Sequence, residues 1–288
     1  MKNIIIYITT SIMISFSFGN VIISMNGNMN QFLSMNSGSF IESNYRKINQ
    51  KTYSLYSMSF TQYPADINFH EVFFQKPISN YVISSKISIL NYGTLKDVLN
   101  RQFSANSHML QISIFNIKSP SFTYGLSAGY CQSKIDNYSH ALLFYSFGLN
   151  KSYLNQKLIL GISLENYNSI IKEYSNLSDS IPSALKITSS YDLQFIPLNM
   201  KINYIYNSDK IQELGISLIG EIDDKFYLYT GKYFYLDNMD LYSELDNIAF
   251  GLGILINNKY KIDFGVQHLN TNVFNIGTSL TVITLDNI

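Results

Sequence analysis

Across most of this chain apolar and polar residues alternate one by one, and a period of two admits only extended strands, because successive side chains of a strand point to opposite faces. Leu198, Met200, Ile202, Tyr204 and Tyr206 alternate with Asn199, Lys201 and Asn203. Leu214, Ile216 and Leu218 alternate with Glu213, Gly215 and Ser217, and Tyr260, Ile262, Phe264 and Val266 with Lys261, Asp263 and Gln267. Leu158, Leu160, Ile162 and Leu164 likewise oppose Lys157, Gly161, Ser163 and Glu165. Each segment therefore has one wet and one dry face. Hardly any stretch reads as an amphipathic helix that could cover the dry faces.

Strand patterns fall at about 52–60, 67–75, 80–91, 107–117, 121–132, 139–149, 156–168, 183–193, 197–206, 212–221, 225–234, 248–256, 259–268 and 273–283, bounded by Asn, Asp, Gly, Ser and Pro. Lys86 obeys the alternation, whereas 139–149 is apolar on both faces. The fourteen strands are joined by connections that alternate in length. Tight ones fall at 76–79, 118–120, 150–155, 194–196, 222–224 and 257–258. The others, mostly longer, fall at 61–66, 91–106, 132–138, 169–182, 207–211, 235–247 and 269–272. In an up-and-down meander every second connection shares a rim, so short turns gather at one end and long loops at the other, as in outer-membrane barrels.

The dry faces decide the solvent. Each large apolar side chain is worth roughly 1.5–3 kcal/mol when removed from water, and a fold stable by about 5–15 kcal/mol cannot leave so many wet. Either the dry faces meet inside a soluble secreted β-sandwich with a binding role, or a closed barrel turns them outward into lipid. The barrel removes every strand edge, as lipid requires, and segments of about nine to eleven residues span a membrane when tilted. The expectation is an all-β, up-and-down transmembrane barrel of about 14 antiparallel strands over residues 51–288, with outer-membrane lipid as its surroundings. Its wet face, including Lys157, Glu165, Lys201, Glu213 and Asp263, then lines a partly occluded interior. Tyr204, Tyr206, Tyr227, Tyr229, Phe234 and Tyr235 crowd strand ends in the manner of interfacial girdles.

Charge excludes some partners. Charged residues make up 14% of the chain and Lys+Arg equal Asp+Glu at 20 each, leaving no net field to collect nucleic acid. The opening "MKNIIIYITTSIMISFSFG" reads as a secretory signal, residues 1–19, cleaved near Gly19, the alternative being a retained anchor helix. Residues 20–50, rich in Asn, Ser, Met and Gly, keep no period and suit a segment in or near the lumen.

Chemistry-bearing motifs are sparse. His70, His108, His140 and His268 stand on separate strands without ligand spacing, so no metal site is expected. Cys131, the one cysteine, reads as a small apolar filler. Gly251-Leu252-Gly253 precedes an apolar strand rather than a helix, Asp223-Asp224 reads as a hairpin turn, and Glu244 and Asp246 as solvated loop residues. No Ser, His and acid are grouped in support of a barrel hydrolase. No catalytic residue, cofactor or metal is expected.

The run "LILGISLENYNSIIKEYSNLSDSIPSALKITSSYDLQFIPLNMKINY" resembles the PorV/PorQ group of barrels, relatives of the FadL long-chain fatty-acid transporters. The matching pieces are Leu164-Glu165-Asn166-Tyr167-Asn168, Ile181-Pro182 and Leu185 to Tyr191. Upstream, "MSFTQYPADINFHEVFFQKPISNYVISSKISILNYGTLKDVL" is similar to that family's early strands, with Tyr92-Gly93 leading into a polar excursion. The family's Asn-Pro-Ala stretch has no counterpart in residues 20–50. The resemblance implies a non-enzymatic component of type IX secretion in the bacterial outer membrane, docking a secretion-system or surface protein on loops 91–106, 169–182 and 235–247. The alternative it implies is FadL-like transport of a hydrophobic small molecule, against which the polar inward positions weigh.

Overall fold

The computed structural model describes residues 53–63, 66–96, 102–116, 118–119, 121–172, 182–193, 195–208, 212–222, 225–236, 248–270 and 273–285. The signal reading at 1–19, the lumen-segment reading at 20–50, Asp223-Asp224, Glu244 and Asp246 lie outside them. Fourteen strands follow in order: β1 (Tyr53–Gln62), β2 (Asn68–Ile78), β3 (Tyr81–Lys96), β4 (Gln102–Asn116), β5 (Phe122–Ile135), β6 (Tyr138–Tyr153), β7 (Leu158–Lys172), β8 (Ala184–Asp192), β9 (Leu198–Asn207), β10 (Gln212–Ile222), β11 (Phe226–Tyr235), β12 (Ile248–Ile256), β13 (Tyr260–Asn270) and β14 (Val273–Leu285). Each pairs antiparallel with its neighbours in sequence, and β1 pairs with β14 over Tyr53↔Leu285 to Gln62↔Ile276, so the sheet closes into a barrel. The sandwich is thereby excluded, because one sheet has no second layer to face.

The two-residue period sorts side chains as the pattern requires. Met58, Val72, Ile87, Ile112, Leu126, Phe250, Phe264 and Ile276 stand exposed on the outer wall. Ser57, Glu71, Lys86, Gln111, Ser127, Lys186, Asn203, Ser217, Asp263 and Thr281 are buried on the inner one. An apolar belt around a polar interior is the inverse of a soluble globule, and its stable surroundings are hydrocarbon. Among the described residues there is no helix.

Both rims show how local chemistry sets the turns. At the short-turn rim Asn257 and Asn258 carry φ of 52° and 54°, the left-handed central pair of a turn in which Lys259 donates its N–H to the Ile256 carbonyl at 3.0 Å. The turn between β6 and β7 holds Leu154, Asn155 and Gln156 at positive φ. Lys157 lies in that turn, exposed, and not on the inner wall, because β7 begins one residue later. At the long-loop rim the expected excursion at 91–106 is mostly strand: β3 runs on to Lys96 and β4 starts at Gln102, leaving 97–101 as the connection. The register shift between Asn91 and Thr94 allows this, with Gly93 at φ 70° and its N–H donated to Asn91 Oδ1 at 3.0 Å. A bulge absorbs a break in alternation without ending the strand.

Candidate functional site: the barrel interior

Three groups of side chains fill the interior. The first is apolar. Met109 on β4, Cys131 on β5, and Leu142 and Phe144 on β6 form one buried cluster, Leu142 and Phe144 retaining only 2% and 1% exposure. Register brings them together: Met109 stands opposite Cys131, and Cys131 opposite Leu142. Gly129 makes the room, since the Phe144 ring occupies the space that a Cβ there would need. Nearer the long-loop rim, Phe69 and Leu90 pair across β2 and β3 and are covered by Tyr63, Ile67 and Tyr92.

The second group is charged. Ser88 Oγ donates to Glu71 Oε2 at 3.2 Å, and Ser163 Oγ to Glu165 Oε1 at 2.8 Å. Lys86 lies within electrostatic range of both Glu71 on the adjacent strand and Glu165 on β7, four strands round the wall. Lys186 on β8 lies within electrostatic range of Glu213 on β10, with no hydrogen bond to its Nζ among the described residues. Glu165 reaches its place through a bulge in β7, where Glu165 and Asn166 together oppose Ser146; Asn166 takes φ 58° and donates its N–H to Ser146 Oγ at 3.1 Å.

The third group lies on β11, β13 and β14, towards the short-turn rim. Asp263, fully buried, accepts from Tyr229 Oη at 2.9 Å and Ser279 Oγ at 3.2 Å, and Lys261 Nζ stands 3.5 Å away. Lys261 also lies over the Tyr227 ring, 4.4 Å from its centroid. Gly253 leaves the space into which Asp263 and Tyr229 fold. Tyr227 and Tyr229 thus point inward and do not belong to an interfacial girdle; with Glu221 across the pair, Tyr227 donates its hydroxyl to that carboxylate at 3.4 Å.

Of the inward positions expected from the pattern, Glu165, Lys201, Glu213 and Asp263 are buried on the inner wall and Lys157 is not. His140 is buried inside, while His70 packs against Phe60 and His268 against Phe274 on the outer side. Cys131 is the apolar filler expected. The apolar cluster itself was not anticipated. Its signal was present in the apolar residues on both faces of 139–149: a strand dry outside because of lipid and dry inside as well marks an apolar patch in the lumen. Physically, the arrangement opposes bulk water and ions with packed apolar side chains and with charges of both signs on one inner wall.

No protein-family model matches the sequence, and no curated protein matches it. Solved structures do resemble the fold. The Pseudomonas putida toluene transporter TodX superposes with a TM-score of 0.57 at 7% identity, over 81% of this chain and 88% of that one. The CymD monoaromatic hydrocarbon channel gives 0.60 at 9% identity over 88% and 96%. A Pseudomonas aeruginosa FadL homologue gives 0.52 at 9% identity over 82% and 90%. At such identities the likeness is one of fold.

Proposed function

We propose that this chain is a non-enzymatic channel of the bacterial outer membrane that passes a hydrophobic small molecule through its interior. The observation that carries the reading is the buried apolar cluster of Met109, Cys131, Leu142 and Phe144 inside a wall whose other inward positions are largely polar. A water-filled pore has no use for such a patch, whereas a hydrocarbon solute is stabilised by it when the packed side chains part to admit it. The fold shared with TodX and CymD supports the same reading. A docking role in type IX secretion, implied by the sequence resemblance, has less support, since one of its three loops contracts from 91–106 to 97–101.

The test is uptake by whole cells of a labelled monoaromatic hydrocarbon and a labelled long-chain fatty acid, with and without the chain. Uptake of at least one is expected to depend on the chain and to fall in Leu142→Asn, with heat-dependent gel mobility confirming a folded barrel. If uptake of both is indifferent to the chain while replacement of 237–247 by a Gly-Ser linker abolishes capture of a surface protein, the docking reading replaces this one.

A further inference from the structure

The outer wall carries a concavity that the transport reading does not use. It has a volume of about 880 Å³ and crosses six strands, β4 to β9. Its floor is organised by register. Ile114, Leu126, Phe147, Leu164, Leu185 and Tyr206 are successive cross-strand partners and form one row perpendicular to the strands. Ile112, Ala128, Tyr145 and Tyr167 form a second row beside it. Two features deepen the space between the rows: Ala128 is small where its neighbours are large, and the β7 bulge sets Leu164 and Tyr167 one residue further apart than any other pair. The hydrogen-bonded ladder continues beneath on both sides of the bulge, and Asn166 N–H to Ser146 Oγ closes the bulge itself.

The dimensions match one kind of occupant. Five inter-strand steps of about 4.8 Å make the first row roughly 24 Å long. With strands tilted about 35–45°, that row climbs roughly 15 Å along the membrane normal, half of a hydrocarbon core about 30 Å thick. The climb is visible in the strands: Ile114 is two residues from the short-turn end of β4, and Tyr206 one residue from the long-loop end of β9. Its upper end lies beside Ser183, Tyr206 and Ser208, where serines join the apolar lining. A trough in a lipid-facing wall cannot be filled by water, and left empty it forfeits dispersion contacts along its whole length.

We infer that this groove is a lipid site: one acyl chain of a membrane lipid from the leaflet on the long-loop side lies between the two rows, its polar end towards Ser183 and Ser208. The site is distinct from the interior and does not depend on what passes through it.

Photo-crosslinking tests this directly. The full chain is reconstituted in vesicles of phosphatidylethanolamine and phosphatidylglycerol carrying a diazirine on one acyl chain, and labelled peptides are mapped after irradiation. Labelling is expected to concentrate on Tyr145, Phe147, Leu164 and Tyr167 over the equally exposed Phe250, Leu252, Phe264 and Ile276 by about tenfold, the ratio that 1.4 kcal/mol of preference gives. Ala128→Phe, which fills the trough from a lipid-facing position, is expected to abolish the excess, and Thr230→Phe on another part of the wall to leave it intact. Uniform labelling, or an excess unchanged in a folded Ala128→Phe barrel, overturns the site. So does a covalent dimer formed in high yield when a diazirine-bearing amino acid replaces Phe147 in place of the labelled lipid, which makes the groove a contact between two copies. Because uptake of hydrocarbon is not the readout, failure here leaves the transport reading standing.

Discussion

The barrel has a tall wall and a short wall. Strands β3 to β7 run 14 to 16 residues, and β8 to β12 only 9 to 11. The short strands are about as long as a tilted membrane crossing needs, and their inner face is mostly polar, with Lys186, Asn199, Lys201, Asn203, Glu213 and Ser217, its apolar share being the small pair Ala184 and Ile205 with Tyr229 and Ala249. The tall strands carry several residues more, three register shifts, and the apolar cluster. Greater strand length therefore coincides with departure from the simple alternation, although the β7 bulge lies within the lipid-facing stretch. A strand only long enough to span is held to one pattern by lipid outside and a wet lumen inside; a longer one has room to bulge and to pack apolar groups inward.

The sharpest way to break this contrast is a charge in the apolar cluster. Leu142→Glu buries a carboxylate among Met109, Cys131 and Phe144, and its cost is expected to exceed about 4 kcal/mol, enough that little heat-modifiable barrel is recovered on gels. Ser217→Asp, equally buried in the short wall but opposite Lys201, is expected to lose less than half as much. Equal losses would show that the two interiors do not differ in polarity. Next comes Phe144→Ala, which empties the space over Gly129 and is expected to cost about 3–5 kcal/mol in urea unfolding of the vesicle-inserted protein.

Smaller effects sharpen the contrast from the other side. Tyr229→Phe removes a hydrogen bond to the buried Asp263 and is expected to lower stability by about 1.5–3 kcal/mol while leaving hydrocarbon uptake within twofold, since the apolar cluster is untouched. A large loss of uptake would move the transport path to β11–β14. Gly93→Ala forces a side chain into φ 70° with its Cβ 3.3 Å from the Asp66 carbonyl oxygen, an expected penalty of about 1 kcal/mol. Hydrogen exchange that rises only at the tips of β3 and β4 would place that strain in the rim of the tall wall.

Much of the fold was legible because alternation is local. Ser217 and Leu218 take opposite faces of β10 wherever the strand lies, and Asn257-Asn258 turns the chain by its own backbone preference. The interior site was less legible for a related reason. Leu142 and Phe144 read as a blemish in a pattern until Cys131 and Met109 are known to stand beside them, and Tyr227 and Tyr229 read as girdle residues until Asp263 and Lys261 are seen to receive them.

Sequence alone therefore determined the strands, their dry faces and the two kinds of rim, all of which follow from period, turn chemistry and the cost of wet apolar surface. Only the tertiary structure decided that β1 closes on β14 and so turns the dry faces outward, that Lys86 comes within electrostatic range of Glu165, and that a groove crosses β4 to β9. Those are relations between residues far apart in the chain, set by register and closure, and no local preference encodes them.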